Sequence, residues 1–166
     1  MIEIITTGGT IDKVYFDKKS DYQVGDPFIG DLLTKMNVNI DYKISPLMRV
    51  DSLDMDDGDR EKILNHILKS NYDKILITHG TDTIVDTAIY LNQLNNKTVV
   101  LTGSLKPALF IDNDAIFNIG CAFTSVQNLS KGVYVIMNGQ VFEPDNCRKN
   151  IEKNIFEKIN ELMTLK

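Results

Sequence analysis

The sequence has few of the residues that mark disulfide frameworks, metal sites or membrane spans. Only two cysteines occur, Cys121 and Cys147, and neither CxxC spacing nor a histidine cluster accompanies them. This pattern argues against a zinc site and favours reduced thiols. No apolar run reaches the ~18 residues of a spanning helix, and the first residues lack the basic and long apolar regions of a signal peptide. We therefore expect a cytoplasmic protein with no membrane partner.

Positive charge is also scarce, because 18 lysines and arginines face 23 aspartates and glutamates, for a net charge of −5. A nucleic-acid-binding protein normally carries a basic balance or a basic stripe, so we expect no nucleic-acid partner. Apolar residues make up 43% and charged residues 25%, as in ordinary globular proteins. Residues 1–166 are predicted to form a single domain with its own hydrophobic core.

Short apolar runs alternate with amphipathic helical patterns along the chain. The predicted strands are Ile2–Thr6, Val38–Ser45, Asp73–Thr78, Thr98–Thr102, Gly132–Met137 and Gln140–Phe142. The predicted helices are Pro27–Met36, Asp56–Ser70, Asp82–Leu94, Asp114–Leu129 and Asn150–Leu165. This alternation is typical of an α/β fold: a three-layer, open, mostly parallel sheet of flavodoxin-like form, with helices on both faces.

Two segments need a separate interpretation. Thr10–Asp26 is long, polar and poorly periodic, and it follows the first strand directly. Ligands bind at the carboxyl ends of strands in open α/β sheets, and long loops are often functional. This segment is therefore predicted to be a lid whose charges, including Lys13, Lys18 and Lys19, are solvated.

The last helix carries an apolar stripe that is expected to pack on the protein's own sheet or to form a homo-oligomer seam. That stripe comprises Ile151, Ile155, Ile159 and Leu162.

The ends of three predicted strands are rich in glycine and hydroxyl side chains. These segments are Thr6–Thr10, Thr78–Thr83 and Thr102–Ser104. One interpretation is a phosphate-binding loop, but neither GxGxxG nor GxxxxGK[ST] is present. A second is that Thr10 is a nucleophile whose neighbouring N–H groups form an oxyanion hole. A third is that these are tight turns, with residues such as Asp82 capping helices.

Taken together, the motifs resemble those of the bacterial-type L-asparaginases, the asparaginase/glutaminase amidohydrolases. TTGGTID at Thr6–Asp12 and ITHGTDT at Ile77–Thr83 match the two signature motifs in order, each at a strand end. Ser20-Asp21-Tyr22 resembles the lid tyrosine region, and Asp51–Met55 resembles a substrate-binding segment. Gly103–Pro107 is similar to the loop after the next strand, and Lys149 falls at the spacing of the family's catalytic lysine. The resemblance spans roughly Met1 to Lys149.

The resemblance implies a double-displacement hydrolysis of a side-chain amide. Thr10 would attack the amide carbon with help from Tyr22, an acyl-enzyme would form, and ammonia would leave. Thr81, Asp82 and Lys149 would form a second hydrogen-bonded group that activates Thr10, the water or both. The substrate, a small amino-acid amide, would contact Gly9, Asp51, Ser52, Gly80, Thr81, Asp82 and Ser104. Ser52 and Asp82 would hold its α-carboxylate and α-amino groups, His79 would be a hydrogen-bonded structural residue, and no metal or organic cofactor is implied.

The sequence departs from the family pattern in two respects. The family has a second, smaller C-terminal domain that completes the active site of a neighbouring subunit, and the sequence ends about where that domain would begin. Leu53 replaces a polar, glutamine-type substrate contact, which predicts weaker affinity or a different amide. A homo-oligomer, dimer or tetramer, is still expected. The alternative is a non-catalytic amino-acid-binding or regulatory module that retained the pocket.

Overall fold

A six-stranded sheet forms the centre of the fold. The structure is a computed structural model and describes residues 1–16 and 21–160. Its strands are β1 (Ile2–Gly8), β2 (Lys13–Phe16), β3 (Asp21–Val24), β4 (Tyr42–Val50), β5 (Lys74–Thr78), β6 (Thr98–Thr102), β7 (Gly132–Met137), β8 (Gln140–Phe142), β9 (Arg148–Asn150) and β10 (Ile155–Glu157). Its α-helices are α1 (Ile29–Lys35), α2 (Asp57–Lys69), α3 (Ile84–Leu91) and α4 (Ala115–Asn128).

The central sheet has the strand order β4-β1-β5-β6-β7-β8. Neighbouring strands are parallel except for β8, which pairs antiparallel with β7 through the turn at Asn138-Gly139. Parallel strands need crossover connections, and helices usually supply them. The prediction of an open, mostly parallel α/β sheet is confirmed.

Helices cover both faces of this sheet. Ile4 and Leu76 pack in one cluster with α1 and α4, whereas their neighbours Ile5 and Ile77 pack in the other cluster with α2 and α3. Successive strand residues point to opposite faces, so a strand buried on both sides reads as a continuous apolar run. The predicted three layers are therefore present, and the carboxyl ends of β1, β5 and β6 meet at one edge of the sheet.

The second predicted strand is displaced in the structure. It was predicted over Val38–Ser45, but β4 begins at Tyr42 and continues through Pro46 to Val50. Asn37 has φ of 51° and ends the turn after α1, and the N–H of Val38 donates to the carbonyl of Leu33. Proline cannot donate a ladder hydrogen bond but is tolerated on an edge strand, and β4 lies at the sheet edge.

The predicted lid, Thr10–Asp26, is not structureless. It contains a short 3-10 turn at Thr10–Asp12 and a β2–β3 hairpin in which Tyr15 lies opposite Tyr22. The side chains predicted to be solvated at Lys18 and Lys19 fall outside the described residues. Lys13 is within them, and its ammonium pairs with Asp51 at 2.6 Å. The prediction of a solvated charge is therefore wrong for Lys13.

The predicted helix at Asn150–Leu165 is wrong over Asn150–Lys158, although Ile159 and Asn160, the last described residues, are helical. Arg148–Asn150 and Ile155–Glu157 instead form an antiparallel hairpin, with Asn154 at φ of 53° in its turn. Polar cross-strand bonds hold this hairpin, since Glu157 accepts from Arg148 Nε at 2.8 Å and from the amide of Asn150 at 3.1 Å. The predicted buried stripe is interrupted, because Ile151 is 82% exposed. Leu162 lies outside the described residues.

Candidate active site

The backbones at the ends of β1 and β5 touch. Gly8 and Gly9 have φ of 92° and 88°, a region that favours glycine. A Cβ on Gly9 would overlap the backbone of Gly80, and a Cβ on Gly80 would overlap the side chain of Ser52. Adjacent Cα atoms are about 3.8 Å apart, so Thr10 and Thr81, which follow Gly9 and Gly80, lie on neighbouring turns.

Thr10 begins the 3-10 turn that leaves β1. The N–H of Asp12 donates to the carbonyl of Gly9 at 3.2 Å, and the N–H of Ala108 donates to the carbonyl of Ile11 at 3.0 Å. Ile11 is buried, which anchors the turn in the core, whereas Thr10 is only half-buried. The Thr10 side chain is therefore placed on a fixed backbone at the open edge of the sheet.

Lys149 joins Thr81 and Asp82. Its ammonium donates to the Thr81 hydroxyl at 2.9 Å and to Asp82 Oδ1 at 2.7 Å. Thr81 is buried, whereas the Asp82 side chain is 38% exposed. Asp82 does not cap a helix: Thr83 is the N-cap of α3, and no side chain completes that cap. The interpretation of Asp82 as a helix cap is therefore wrong, and its carboxylate is instead held by Lys149.

The β9–β10 hairpin carries Lys149 into this position. Phe156 lies opposite Lys149 in the hairpin, and its N–H donates to Asn138 Oδ1 at 2.8 Å. The N–H of Asn138 donates to Asn118 Oδ1 at 3.2 Å, and Asn118 Nδ2 donates to the carbonyl of Gly103 at 3.1 Å. These bonds tie the hairpin to the loop after β6, and Phe156 itself is buried. We call this chain of bonds the asparagine bridge.

His79 is buried beneath the β5 end and fixes the neighbouring peptide. Burial lowers its pKa to about 4, and the nearby Arg60 charge adds to that shift, although the hydrogen bond to Gly80 opposes it. The neutral ring donates from Nδ1 to the carbonyl of Gly80 at 2.8 Å, because a carbonyl can only accept. Nε2 then accepts from the Thr87 hydroxyl at 2.9 Å. His79 is thus a hydrogen-bonded structural residue, as its sequence context predicts.

The predicted substrate segment lies against both glycine turns. Ser52 is buried beside Gly80, and its carbonyl accepts from the Thr83 hydroxyl at 2.7 Å. Asp51 Oδ1 accepts from the N–H of Leu53 at 3.2 Å. Leu53 is 73% exposed. The segment is therefore brought to the same sheet edge as Thr10 and Thr81.

Tyr22 lies on β3 at the exposed side of this edge. Its side chain is 45% exposed, and its ring makes edge contacts with Tyr15 and Phe110 at centroid distances of 5.5 and 6.0 Å. Ser104, by contrast, is fully buried, and its hydroxyl donates to the carbonyl of Lys106 at 2.5 Å. Tyr22 thus lies over the loop after β6, and the hydrogen bond from Ser104 stabilises the start of that loop.

Asp12 is a buried carboxyl group at the root of the lid hairpin. Burial raises its pKa to about 6, although the N–H of Phe28, which donates to Asp12 Oδ1 at 2.9 Å, and the Arg49 charge oppose the shift. Its carbonyl accepts from the N–H of Gly25. Asp12 therefore joins the two ends of the lid to the core two residues after Thr10.

Sequence reasoning missed three groups at this site: Lys13, the asparagine bridge and Asp114. Asp114 accepts from the N–H groups of Leu105 and Lys106 and so shapes the loop after β6. An Asn–Gly pair signals a tight turn, but no local signal indicates that Asn138 also binds a distant hairpin. Within residues 1–16 and 21–160, no group of three or more His, Cys, Asp or Glu side chains could hold a metal ion.

The family model described as "Asparaginase, N-terminal" matches residues 1–161. The chain belongs to the asparaginase family. The predicted resemblance over Met1 to Lys149 is therefore confirmed. No helix within the described ranges is long and apolar enough to cross a membrane.

The similar proteins are asparaginases of about twice this length. The chain is 30% identical over 154 residues to L-asparaginase 2 of Bacillus subtilis (strain 168), a match that covers 84% of this chain and 41% of that protein. It is 32% identical over 152 residues to "Probable L-asparaginase periplasmic" of Haemophilus influenzae, covering 84% and 43%. The structure of the "Probable Cytoplasmic L-asparaginase from Campylobacter jejuni" matches with a TM-score of 0.82 and 29% identity, covering 95% and 53%. The chain thus spans about half the length of these asparaginases.

Proposed function

We propose that this chain is an amidohydrolase that converts the side-chain amide of asparagine, or of a related small amide, to the carboxylic acid and ammonia. The observation that carries the proposal is the meeting of the two threonine turns, with Lys149 bridging Thr81 and Asp82. Acyl transfer requires a hydroxyl nucleophile, a group that transfers protons, and a turn whose backbone N–H groups the substrate can approach.

In the proposed reaction, Thr10 Oγ1 attacks the amide carbon and Tyr22 assists. The tetrahedral intermediate collapses to an ester on Thr10, the C–N bond breaks, and the Thr10 proton leaves with the nitrogen as ammonia. Water then adds to the ester, which releases the carboxylic acid and returns the proton to Thr10. A threonine hydroxyl is a weak nucleophile at neutral pH and needs such help.

Lys149, Thr81 and Asp82 are proposed to move the protons. The Asp82 carboxylate holds the lysine ammonium, and the ammonium faces the Thr81 hydroxyl at 2.9 Å, within the range for proton transfer. An ion pair with the Asp82 carboxylate orients the lysine ammonium toward the Thr81 hydroxyl. The group can therefore serve the attack by Thr10, the attack by water, or both.

The substrate is proposed to lie between the glycine turns and the lid. Ser52 and Asp82 take its α-carboxylate and α-amino group, and Gly9, Gly80 and Ser104 shape the floor, with Asp51 in the same segment as Ser52. Gly80 supports this arrangement, because any larger residue would overlap Ser52. A site built to pair both charges of an amino acid rejects amides that lack them. Exposed Leu53 leaves one side of the substrate without a polar contact.

We also propose a cytoplasmic homo-oligomer, dimer or tetramer. Both cysteines are free, which suits a reducing compartment. Leu109, Phe110 and Ile111 are exposed apolar residues in the loop after β6, Phe110 contacts Tyr22, and the three suit a subunit contact near the lid. Cell fractionation and light scattering on the purified protein test the two statements separately, and a monomer or an exported protein contradicts them.

Ammonia release from a panel of amides tests the proposed activity. The panel comprises L-asparagine, L-glutamine and simple carboxamides, and Thr10→Ala is the matched variant because it removes the hydroxyl proposed as the nucleophile. Release from at least one amide that is lost in Thr10→Ala supports the proposal. Absence of release from every amide, or release that Thr10→Ala retains, contradicts it.

A further inference from the structure

The pair between Lys13 and Asp51 links the lid to the substrate segment. Lys13 is the first residue of β2, three positions after Thr10, and Asp51 directly precedes Ser52. The lysine ammonium lies 2.6 Å from Asp51 Oδ2, and the two side chains are 26% and 27% exposed. Partial burial distinguishes this pair from the fully exposed ion pairs that contribute little.

Asp51 uses both of its carboxylate oxygens within the protein. Oδ2 meets Lys13, and Oδ1 accepts from the N–H of Leu53. Burial alone would raise the pKa of Asp51, but the hydrogen bonds from Lys13 and Leu53 and the lysine charge hold it below its ordinary value. Asp51 is therefore a carboxylate, and its charge is compensated by Lys13.

This compensation matters because of what Ser52 is proposed to bind. If the α-carboxylate of the substrate lies on Ser52, an uncompensated Asp51 one residue away would repel it. The Asp82 carboxylate, on the neighbouring turn, is already paired with Lys149. Lys13 thus compensates the negative charge of the residue directly before Ser52, beside the position proposed for the incoming carboxylate. A like charge left unpaired in a partly buried site opposes anion binding.

We propose that Lys13 is a specificity and positioning residue, which neutralises Asp51 and fixes the Ser52 segment so that the site accepts amides carrying an α-carboxylate. The proposal rests on the proposed amidohydrolase function. It assigns no bond-making step to Lys13. Its effect is on substrate affinity, and the effect is confined to substrates with the negative charge.

Steady-state ammonia release with two substrates tests this role. One substrate is L-asparagine, and the other is L-asparagine α-amide, in which a neutral carboxamide replaces the α-carboxylate. Lys13→Met keeps the aliphatic stem and removes the charge, Lys13→Arg keeps the charge, and Lys131→Met is a control at an exposed lysine. We expect Lys13→Met to raise KM for asparagine by about tenfold or more and to leave kcat and the KM of the α-amide little changed.

A double variant separates charge from structure. In Lys13→Met with Asp51→Asn both charges are absent, so the KM for asparagine is expected to fall below that of Lys13→Met, whereas Lys13→Arg should keep it within a few-fold of the original value. If Lys13→Met raises the KM values of both substrates equally, or changes neither, the proposed role is wrong. If the double variant is as impaired as Lys13→Met, repulsion by Asp51 is also excluded.

Failure of the underlying activity gives a different result. Unmodified protein that releases no ammonia from either amide contradicts the proposed amidohydrolase function, whatever the variants do. The Lys13 inference is then decided by calorimetric titration with L-aspartate, which carries the same α-carboxylate. About tenfold weaker binding by Lys13→Met supports the inference, and equal affinities or no binding by either protein overturn it.

Discussion

The Lys149 ammonium lies 2.9 Å from the Thr81 hydroxyl, across 68 positions of the chain. The same nitrogen lies 2.7 Å from Asp82 Oδ1, and only 15% of the lysine side chain is exposed. A lysine on the β9–β10 hairpin is thereby made part of the carboxyl end of the sheet. The proposed proton-transfer group is thus assembled by tertiary folding: the turn after β5 contributes Thr81 and Asp82, and the β9–β10 hairpin contributes Lys149.

Removal of this lysine nitrogen should abolish turnover without unfolding the protein. We expect Lys149→Met to reduce kcat for ammonia release by about 100-fold or more, the usual effect of losing a proton-transfer group. Lys153→Met, in the exposed turn of the same hairpin, is the control and should leave kcat unchanged. Equal activity of the two variants would exclude Lys149 from the chemistry, provided that circular dichroism shows both to be folded.

The contact between the glycine turns should make Gly9 intolerant of a side chain. Gly9→Ala places a methyl group against the Gly80 backbone at a positive φ, so we expect a loss of about 1–3 kcal/mol in the free energy of unfolding. Gly120→Ala is the matched control, because that glycine lies in α4 with no atom near its added Cβ. It should gain up to about 1 kcal/mol. Denaturant unfolding measures both, and a neutral Gly9→Ala would refute the close approach.

Buried Asp12 should make the free energy of unfolding fall as the pH rises, the reverse of the usual effect of a carboxyl group. Its pKa is about 6 in the folded protein, above the ordinary value of 3.8. Between these values the folded state binds a proton that the unfolded state has released, so stability falls as pH rises from about 4 to about 6. The difference between the two pKa values corresponds to a loss of at most about 3 kcal/mol in the free energy of unfolding.

Asp12→Asn keeps an oxygen acceptor for the N–H of Phe28 and cannot ionise. Its free energy of unfolding, measured relative to the original protein, should therefore increase from pH 4 to pH 6 and stay constant above that. Parallel stability curves for the two proteins would show that Asp12 ionises at its ordinary pKa.

The asparagine bridge should hold the Lys149 hairpin in place. Asn138→Gly keeps the left-handed turn but removes the acceptor for the N–H of Phe156, whereas Asn138→Asp keeps the acceptor. We expect Asn138→Gly to lose about 1 kcal/mol of stability, to lower kcat and to speed hydrogen exchange at the Phe156 amide. Asn138→Asp should retain the slower exchange. Identical exchange rates in the two variants would show that the bridge does not restrain the hairpin.

Local pattern predicted the central sheet because its strands are buried on both faces. Ile75–Ile77 and Val99–Leu101 are continuous apolar runs that are followed by turns containing a glycine, and both form strands in the structure. The edge strand β4 is less predictable, because the alternation over Val38–Ser45 is matched only from Tyr42 and the strand continues through Pro46, which an edge position tolerates. The core was therefore more predictable than the edge.

The site was predictable in part for the same physical reason. Thr10, Thr81 and Asp82 follow buried strands, so parallel pairing alone brings their turns to one sheet edge. Lys149 is different, since the helical spacing of Ile151 and Ile155 favours a helix, whereas Arg148–Asn150 and Ile155–Glu157 pair as a hairpin. The bond from Phe156 to Asn138 that stabilises the hairpin joins residues 18 positions apart. Lys13 was misread because Asp51 is distant in sequence, and no local pattern reports such a pair.

Mass spectrometry of an acid-quenched reaction tests the central claim that Thr10 is the nucleophile. Protein mixed with asparagine and quenched during turnover is digested, and the peptides that contain Thr10 and Thr81 are compared. The account predicts an aspartyl ester on Thr10, none on Thr81, and no ester in Thr10→Ala. An ester on Thr81, or ammonia release by Thr10→Ala at the rate of the original protein, would contradict it.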